Sequence, residues 1–83
     1  MLMKSVSISI EDVYVPTRLR QSLDAQRVES LAEDILEHGQ KTPIQVRRDS
    51  GRYVLVTGLH RLEAMRYLSE RTIDALIVQA RKF

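Results

Sequence analysis

The stretch Val54-Leu55-Val56-Thr57-Gly58-Leu59-His60-Arg61-Leu62-Glu63-Ala64 decides the fold. An apolar run ends at Thr57-Gly58, and a stripe at helical spacing (Leu59, Leu62, Met65, Leu68) begins at once. That pattern predicts a buried strand feeding through one glycine into a helix that starts near Leu59 or His60. Upstream, Ile44 to Arg48 reads as a strand, Asp49-Ser50-Gly51 as a hairpin turn and Tyr53 to Val56 as the returning strand. Further out, Val6, Ile8 and Ile10 alternate with serines as in a half-buried strand, which Glu11-Asp12 ends. Val13 to Pro16 then leads into a loop carrying Arg18 and Arg20. Asp24 is a good N-cap, with Leu23 and Val28 at the positions of a hydrophobic staple. Val28, Leu31, Ala32, Ile35 and Leu36 form one apolar face of the helix that follows, and Gly39 stops it. Thr72 to Val78 is a last strand. The order β-α-β-β-α-β predicts an α+β domain, a small mixed sheet with two helices.

Composition bounds what such a domain can do. The 83 residues, 43% hydrophobic and 29% charged, make one globular domain over residues 1–83 without a linker or repeat. No apolar run approaches the roughly 20 residues that span a bilayer, and the start Met-Leu-Met-Lys-Ser-Val-Ser lacks a signal peptide's apolar core, so a cytoplasmic protein with no membrane partner is expected. The absence of cysteine excludes disulfides, a thiol nucleophile and thiolate metal sites. Thirteen Lys and Arg against 11 Asp and Glu leave a net charge of only +2, too little for nucleic-acid binding by bulk charge. Ten of those cations are Arg, whose planar fork suits phosphate and carboxylate. The aromatic residues Tyr14, Tyr53, Tyr67 and Phe83 are scattered, which argues against an open platform for single-stranded nucleic acid.

Chemistry concentrates at the strand-to-helix turn. The first turn of a helix presents unpaired N–H groups and the positive end of the dipole, so it welcomes an anion. Gly58 lets a phosphate approach the backbone, and His60 and Arg61 stand in that same turn, where cations are unfavourable unless an anion offsets them. On spacing alone a plain turn with a solvated Arg61 fits as well. On the first helix, Arg27, Ser30, Asp34 and His38 lie along one flank of the apolar stripe and Glu29, Glu33 and Glu37 along the other. The first flank combines a phosphate fork, a hydroxyl and a carboxylate able to hold a metal; an ordinary mixed surface is the alternative. His38 and His60 make no metal motif. A metal-dependent nuclease would have Asp34 and Glu63 as its carboxylates.

These residues resemble the ParB/sulfiredoxin superfamily of small nucleotide-binding domains. The matching blocks are Leu23-Asp24-x-x-Arg27-Val28-x-Ser30-Leu31, Thr42-Pro43-Ile44-x-Val46, Gly58-Leu59-His60-Arg61-x-x-Ala64 and Thr72 to Val78, so the likeness runs from about Val6 to Ala80. ParB proteins typically carry Gly-Glu-Arg-Arg at the turn and bind CTP; sulfiredoxins carry Gly-Cys-His-Arg and bind ATP. The resemblance implies a nucleotide (CTP, ATP or ADP), with magnesium a candidate companion. Its phosphates would meet Arg27, Ser30, Thr42, Gly58, Leu59, His60 and Arg61, with Asp34 as the metal candidate. Leu59 replaces the sulfiredoxin cysteine, which excludes sulfinic acid reduction, and it replaces the ParB glutamate, which sets CTP hydrolysis in doubt. No helix-turn-helix follows Phe83, so DNA reading of the ParB kind is not expected from this chain.

Three functional expectations follow. The first is a stand-alone nucleotide-binding module with a regulatory or partition-accessory role, whose partners include DNA, a DNA-bound protein or a second copy, and whose enzymatic activity, if any, is weak nucleotide hydrolysis. The second is a DNA-binding protein or metal-dependent nuclease contacting phosphates through Arg47, Arg48 and Arg52 at the hairpin. The third is an interaction domain with a vestigial site.

Overall fold

In the computed structural model, which describes residues 4–79, the alternating serines and β-branched residues build β1 (Val6–Ser9). A 3-10 turn at Ile10–Asp12 then redirects the chain into the two-residue strand β2 (Val13–Tyr14). A short helix α1 (Thr17–Arg20) and the long α2 (Ala25–His38) precede the hairpin of β3 (Ile44–Asp49) and β4 (Arg52–Thr57). Helix α3 (Leu59–Tyr67) and strand β5 (Thr72–Ile77) complete the domain. The start of the chain through Met3, read above as lacking a signal peptide, and the end from Ala80 to Phe83 lie outside the described residues.

The strands form one mixed sheet in the order β1-β5-β3-β4-β2. β1 runs antiparallel to β5, β5 parallel to β3, β3 antiparallel to β4 and β4 parallel to β2. The α+β class and the six expected elements are all present. Besides the 3-10 turn, two elements are additional. Val13 and Val15 are buried on either side of exposed Tyr14, which is too short an alternation to stand out in sequence. The expected loop at Arg18 and Arg20 is one helical turn, closed by N–H bonds from Leu19 and Arg20 to the Pro16 carbonyl, and Leu19 packs against the core. Ser50 and Gly51, with φ of 49° and 81°, make the tight hairpin turn.

The core lies between the sheet and the helices. Ile44, Val46, Leu62 and Ile73 are its fully buried large side chains. Val28, Ala32 and Ile35 of α2 join it, while Leu31 is only partly buried. Leu36 does not belong: it is 77% exposed, at the outer limb of the stripe in the last turn of α2. Val6, at the start of the edge strand β1, is likewise exposed. Among the described residues no helix is long and apolar enough to cross a membrane.

Candidate functional site

The junction of β4 and α3 is built around Gly58. Its φ of 106° is left-handed, and a Cβ added there would meet Ile44 Cγ2 at 2.6 Å and Ile44 Cβ at 2.9 Å. Two independent constraints therefore demand glycine: backbone sign and the close approach of β3. Gly58 offers no side chain to cap α3, so this helix begins without the usual side-chain acceptor. Among the described residues no acceptor meets the N–H groups of Leu59, His60 or Arg61, whereas Leu62 N–H already bonds the Gly58 carbonyl. That set of donors, at the positive end of α3, is what an anion needs. The Leu59 side chain is buried and serves the core, so this position can contribute only its backbone. Arg61 is partly buried.

The first turn of α2 meets the first turn of α3. Asp24 Oδ1 accepts from the N–H groups of Gln26 (3.0 Å) and Arg27 (3.4 Å), the expected cap. The N–H of Asp24 itself donates to His60 Nε2 at 3.0 Å, a bond between the starts of the two helices. Arg27 and Ser30 are exposed on α2, one turn apart. The structure thus joins Gly58, Leu59, His60 and Arg61 to the α2 start that carries Arg27. Leu23, the other half of the expected staple, is 45% exposed.

Thr42 lies in a loop that is anchored from an unexpected side. The Gln40 side chain donates to the carbonyls of Thr42 (3.0 Å) and Asp74 (2.9 Å), and its oxygen accepts from Asp74 N–H at 2.8 Å. The amide thus pairs with both backbone groups of a β5 residue, as a neighbouring strand would. Thr42 is held two residues before Ile44, the residue against which Gly58 rests. Nothing in the sequence marks Gln40 for this role.

Asp34 lies seven residues beyond Arg27, about 10 Å along the helix at 1.5 Å per residue. Its Oδ1 meets His38 Nδ1 at 3.1 Å and Lys41 Nζ at 3.9 Å. Among the described residues no three His, Asp or Glu side chains gather as a metal site, and Asp34 pairs with His38 and Lys41 rather than with a second carboxylate. At the hairpin, the register sets Arg48 opposite Tyr53 and Arg47 opposite Val54, so the two arginines emerge on opposite faces of the sheet. Arg48 lies 5.8 Å from the Tyr53 ring centroid, Arg52 stacks at 4.2 Å over Tyr14, and Arg47 reaches Asp49 at 4.0 Å. The three do not form one surface. Arg48 and Arg52 do share a shallow cavity of about 260 Å³ with Asp12, Gly51 and Tyr53. A wider concavity of about 690 Å³ opens away from the glycine turn, among Ser9, Ile10, Glu11, Arg66, Glu70 and Arg71.

The model of the ParB N-terminal domain matches residues 3–82, which include the glycine turn and the start of α3. The chain belongs to the ParB N-terminal domain family. A nucleoid occlusion protein of Halalkalibacterium halodurans is 40% identical over 65 residues, covering 76% of this chain and 23% of that protein. The domain spans about a quarter of the length of the curated relatives it matches. Among solved structures, sulfiredoxin from Arabidopsis thaliana superposes with a TM-score of 0.82 at 30% identity, over 92% of this chain and 85% of that one. C-terminally truncated ParB from Caulobacter crescentus, complexed with CTP-γ-S, superposes with a TM-score of 0.80 at 26% identity, over 94% of this chain and 46% of that one. The domain therefore shares its fold with both sulfiredoxin and ParB, and its sequence relatives include proteins of nucleoid occlusion and chromosome partitioning.

Proposed function

We propose that the domain binds a nucleoside triphosphate, with CTP the first candidate, and acts as a nucleotide-dependent regulatory or accessory module in partitioning or nucleoid occlusion. The observation that carries this reading is the Gly58 turn, which leaves the start of α3 uncapped beside the α2 turn bearing Arg27. Phosphates would take N–H bonds at Leu59 and His60 and the fork of Arg61, with Arg27, Ser30 and Thr42 around them. The CTP-γ-S complex of the Caulobacter relative makes a cytidine nucleotide the first candidate, with ATP and ADP as alternatives. Leu59, a core residue without an ionisable group, gives no acid or base for hydrolysis at its position. Magnesium at Asp34 would compete with His38 and Lys41 for Oδ1 or bind through Oδ2.

Calorimetry with CTP, ATP, ADP and GTP, with and without magnesium, tests the reading. A charge-assisted bond to phosphate contributes about 1.5–3 kcal/mol, so Arg61→Ala weakens binding at least about ten-fold, and Arg61→Lys restores it only in part. Asp34→Asn weakens binding in magnesium alone if a metal bridges, and tightens it if the carboxylate only repels. Equal affinity in wild type and Arg61→Ala, or no nucleotide bound at all, refutes the site.

A second reading, DNA contact at the hairpin, draws on the cavity shared by Arg48 and Arg52. Replacing Arg47, Arg48 and Arg52 together by Ala would lower duplex affinity and flatten its salt dependence. A wild-type domain that fails to retard DNA at low salt eliminates it.

A further inference from the structure

A complete capping box needs two acceptors: the N-cap side chain for the N–H of the third helical residue, and that third residue's own side chain for the N–H of the N-cap. In α2 the first half is present, since Asp24 Oδ1 accepts from Arg27 N–H. The second half cannot come from α2, because the third position is Arg27 and a guanidinium accepts nothing. His60 supplies it from another helix, with Nε2 accepting the Asp24 N–H at 3.0 Å.

We propose that His60 is a neutral positioning residue that completes the α2 cap from α3, and that this frees the third position of α2 for an arginine, Arg27, which can face a bound anion. The functional half of the proposal rests on the nucleotide reading above. To accept at Nε2 the ring must carry its proton on Nδ1 alone. A second proton at Nε2 would set two donors against each other at 3.0 Å and part the helix starts. The charged residues that neighbour this contact along the two helices are Asp24 and Arg27 at the start of α2, and Arg61 and Glu63 on α3. A histidine acting as a cationic phosphate contact predicts the reverse: binding that strengthens on acidification, and a role an arginine could fill. His60 as positioner needs an acceptor, which glutamine offers and arginine does not.

The experiment has two arms, both on the full chain. Without nucleotide, the imidazole 15N spectrum at pH 8 should show His60 protonated at Nδ1 and bare at Nε2. The Asp24 amide signal should shift strongly in His60→Ala and less in His60→Gln. A proton on Nε2, or an Asp24 amide indifferent to both substitutions, overturns the bond. With magnesium and CTP, calorimetry from pH 8 to pH 5 crosses the ordinary histidine range of about 6.5. The phosphate's own titration cancels in the ratio of the wild-type Kd to that of His60→Gln, and this ratio should rise at least five-fold on acidification. At pH 8, His60→Arg should bind at least five-fold more weakly than His60→Gln. A ratio that falls or stays level, or an arginine variant that binds as well as the glutamine one, overturns the positioning role. If no variant and no wild type binds CTP, the nucleotide reading and the functional half fall together, while the spectrum still decides the bond.

Discussion

Replacing Gly58 with alanine adds one methyl group where the chain has least space for it. The Cβ would sit 2.6 Å from Ile44 Cγ2, 2.9 Å from Ile44 Cβ and 3.2 Å from Ile44 Cα, so the obstacle includes backbone and cannot swing aside. Overpacking of this kind costs about 1–3 kcal/mol. The φ of 106° adds a left-handed penalty of about 1–2 kcal/mol for a residue with a Cβ. Together the loss is about 2–5 kcal/mol, against a total stability of about 4–12 kcal/mol for 83 residues. Gly51→Ala is the matched control, because its φ is also positive at 81° but nothing lies within 4 Å of the added carbon. Urea unfolding of the two variants separates steric cost from conformational cost. Gly58→Ala should lose at least about 1 kcal/mol more than Gly51→Ala and melt at least about 8 °C below wild type. Equal losses in the two variants would show that β3 does not press on the turn.

Leu62→Ala, at a fully buried position of α3, should cost about 2–5 kcal/mol in urea titration, whereas Leu36→Ala, at 77% exposure, should stay within about 0.5 kcal/mol; a large loss at Leu36 would mean that something covers α2. Gln40→Ala removes three hydrogen bonds and should cost about 1–3 kcal/mol, with faster hydrogen exchange at the Asp74 amide as its local signature. Unchanged exchange at Asp74 would remove Gln40 as the anchor of its loop.

Much of this architecture is readable wherever one period persists over several residues. The stripe Val28, Ala32, Ile35 and the run through Gly58 into Leu59 and Leu62 announce themselves because each has one face to bury. Val13-Tyr14 is too short to show a period, and its place in the sheet follows from pairing alongside β4, a relation between distant segments. Leu36 fits the helical period yet stays exposed, since periodicity says which face a residue is on and not how far the opposing element extends. At the site, the glycine and the cluster Gly58 to Arg61 were legible, and so was the cap at Asp24. The hydrogen-bonding direction of His60 was not, because it depends on where α3 meets α2. One clue did exist: an arginine at the third position of α2, where a self-contained cap would carry Glu or Gln. The split of Arg47 from Arg48 also follows from strand geometry alone, as adjacent residues on one strand face opposite ways.

The sheet order has a consequence for synthesis. Among the described strands β5 comes last in the chain, yet it lies inside the sheet, with β1 on one side and β3 on the other. Until Thr72–Ile77 has emerged, a growing chain holds two strands whose facing backbone groups have no partner, and Gln40 has no Asp74 to grip. The β3–β4 hairpin and the paired helices can form early, but the N-terminal strand must wait for the final segment. Closure of this domain is therefore a single late insertion between two waiting edges, and a chain cut short before β5 would expose both to any neighbouring polypeptide.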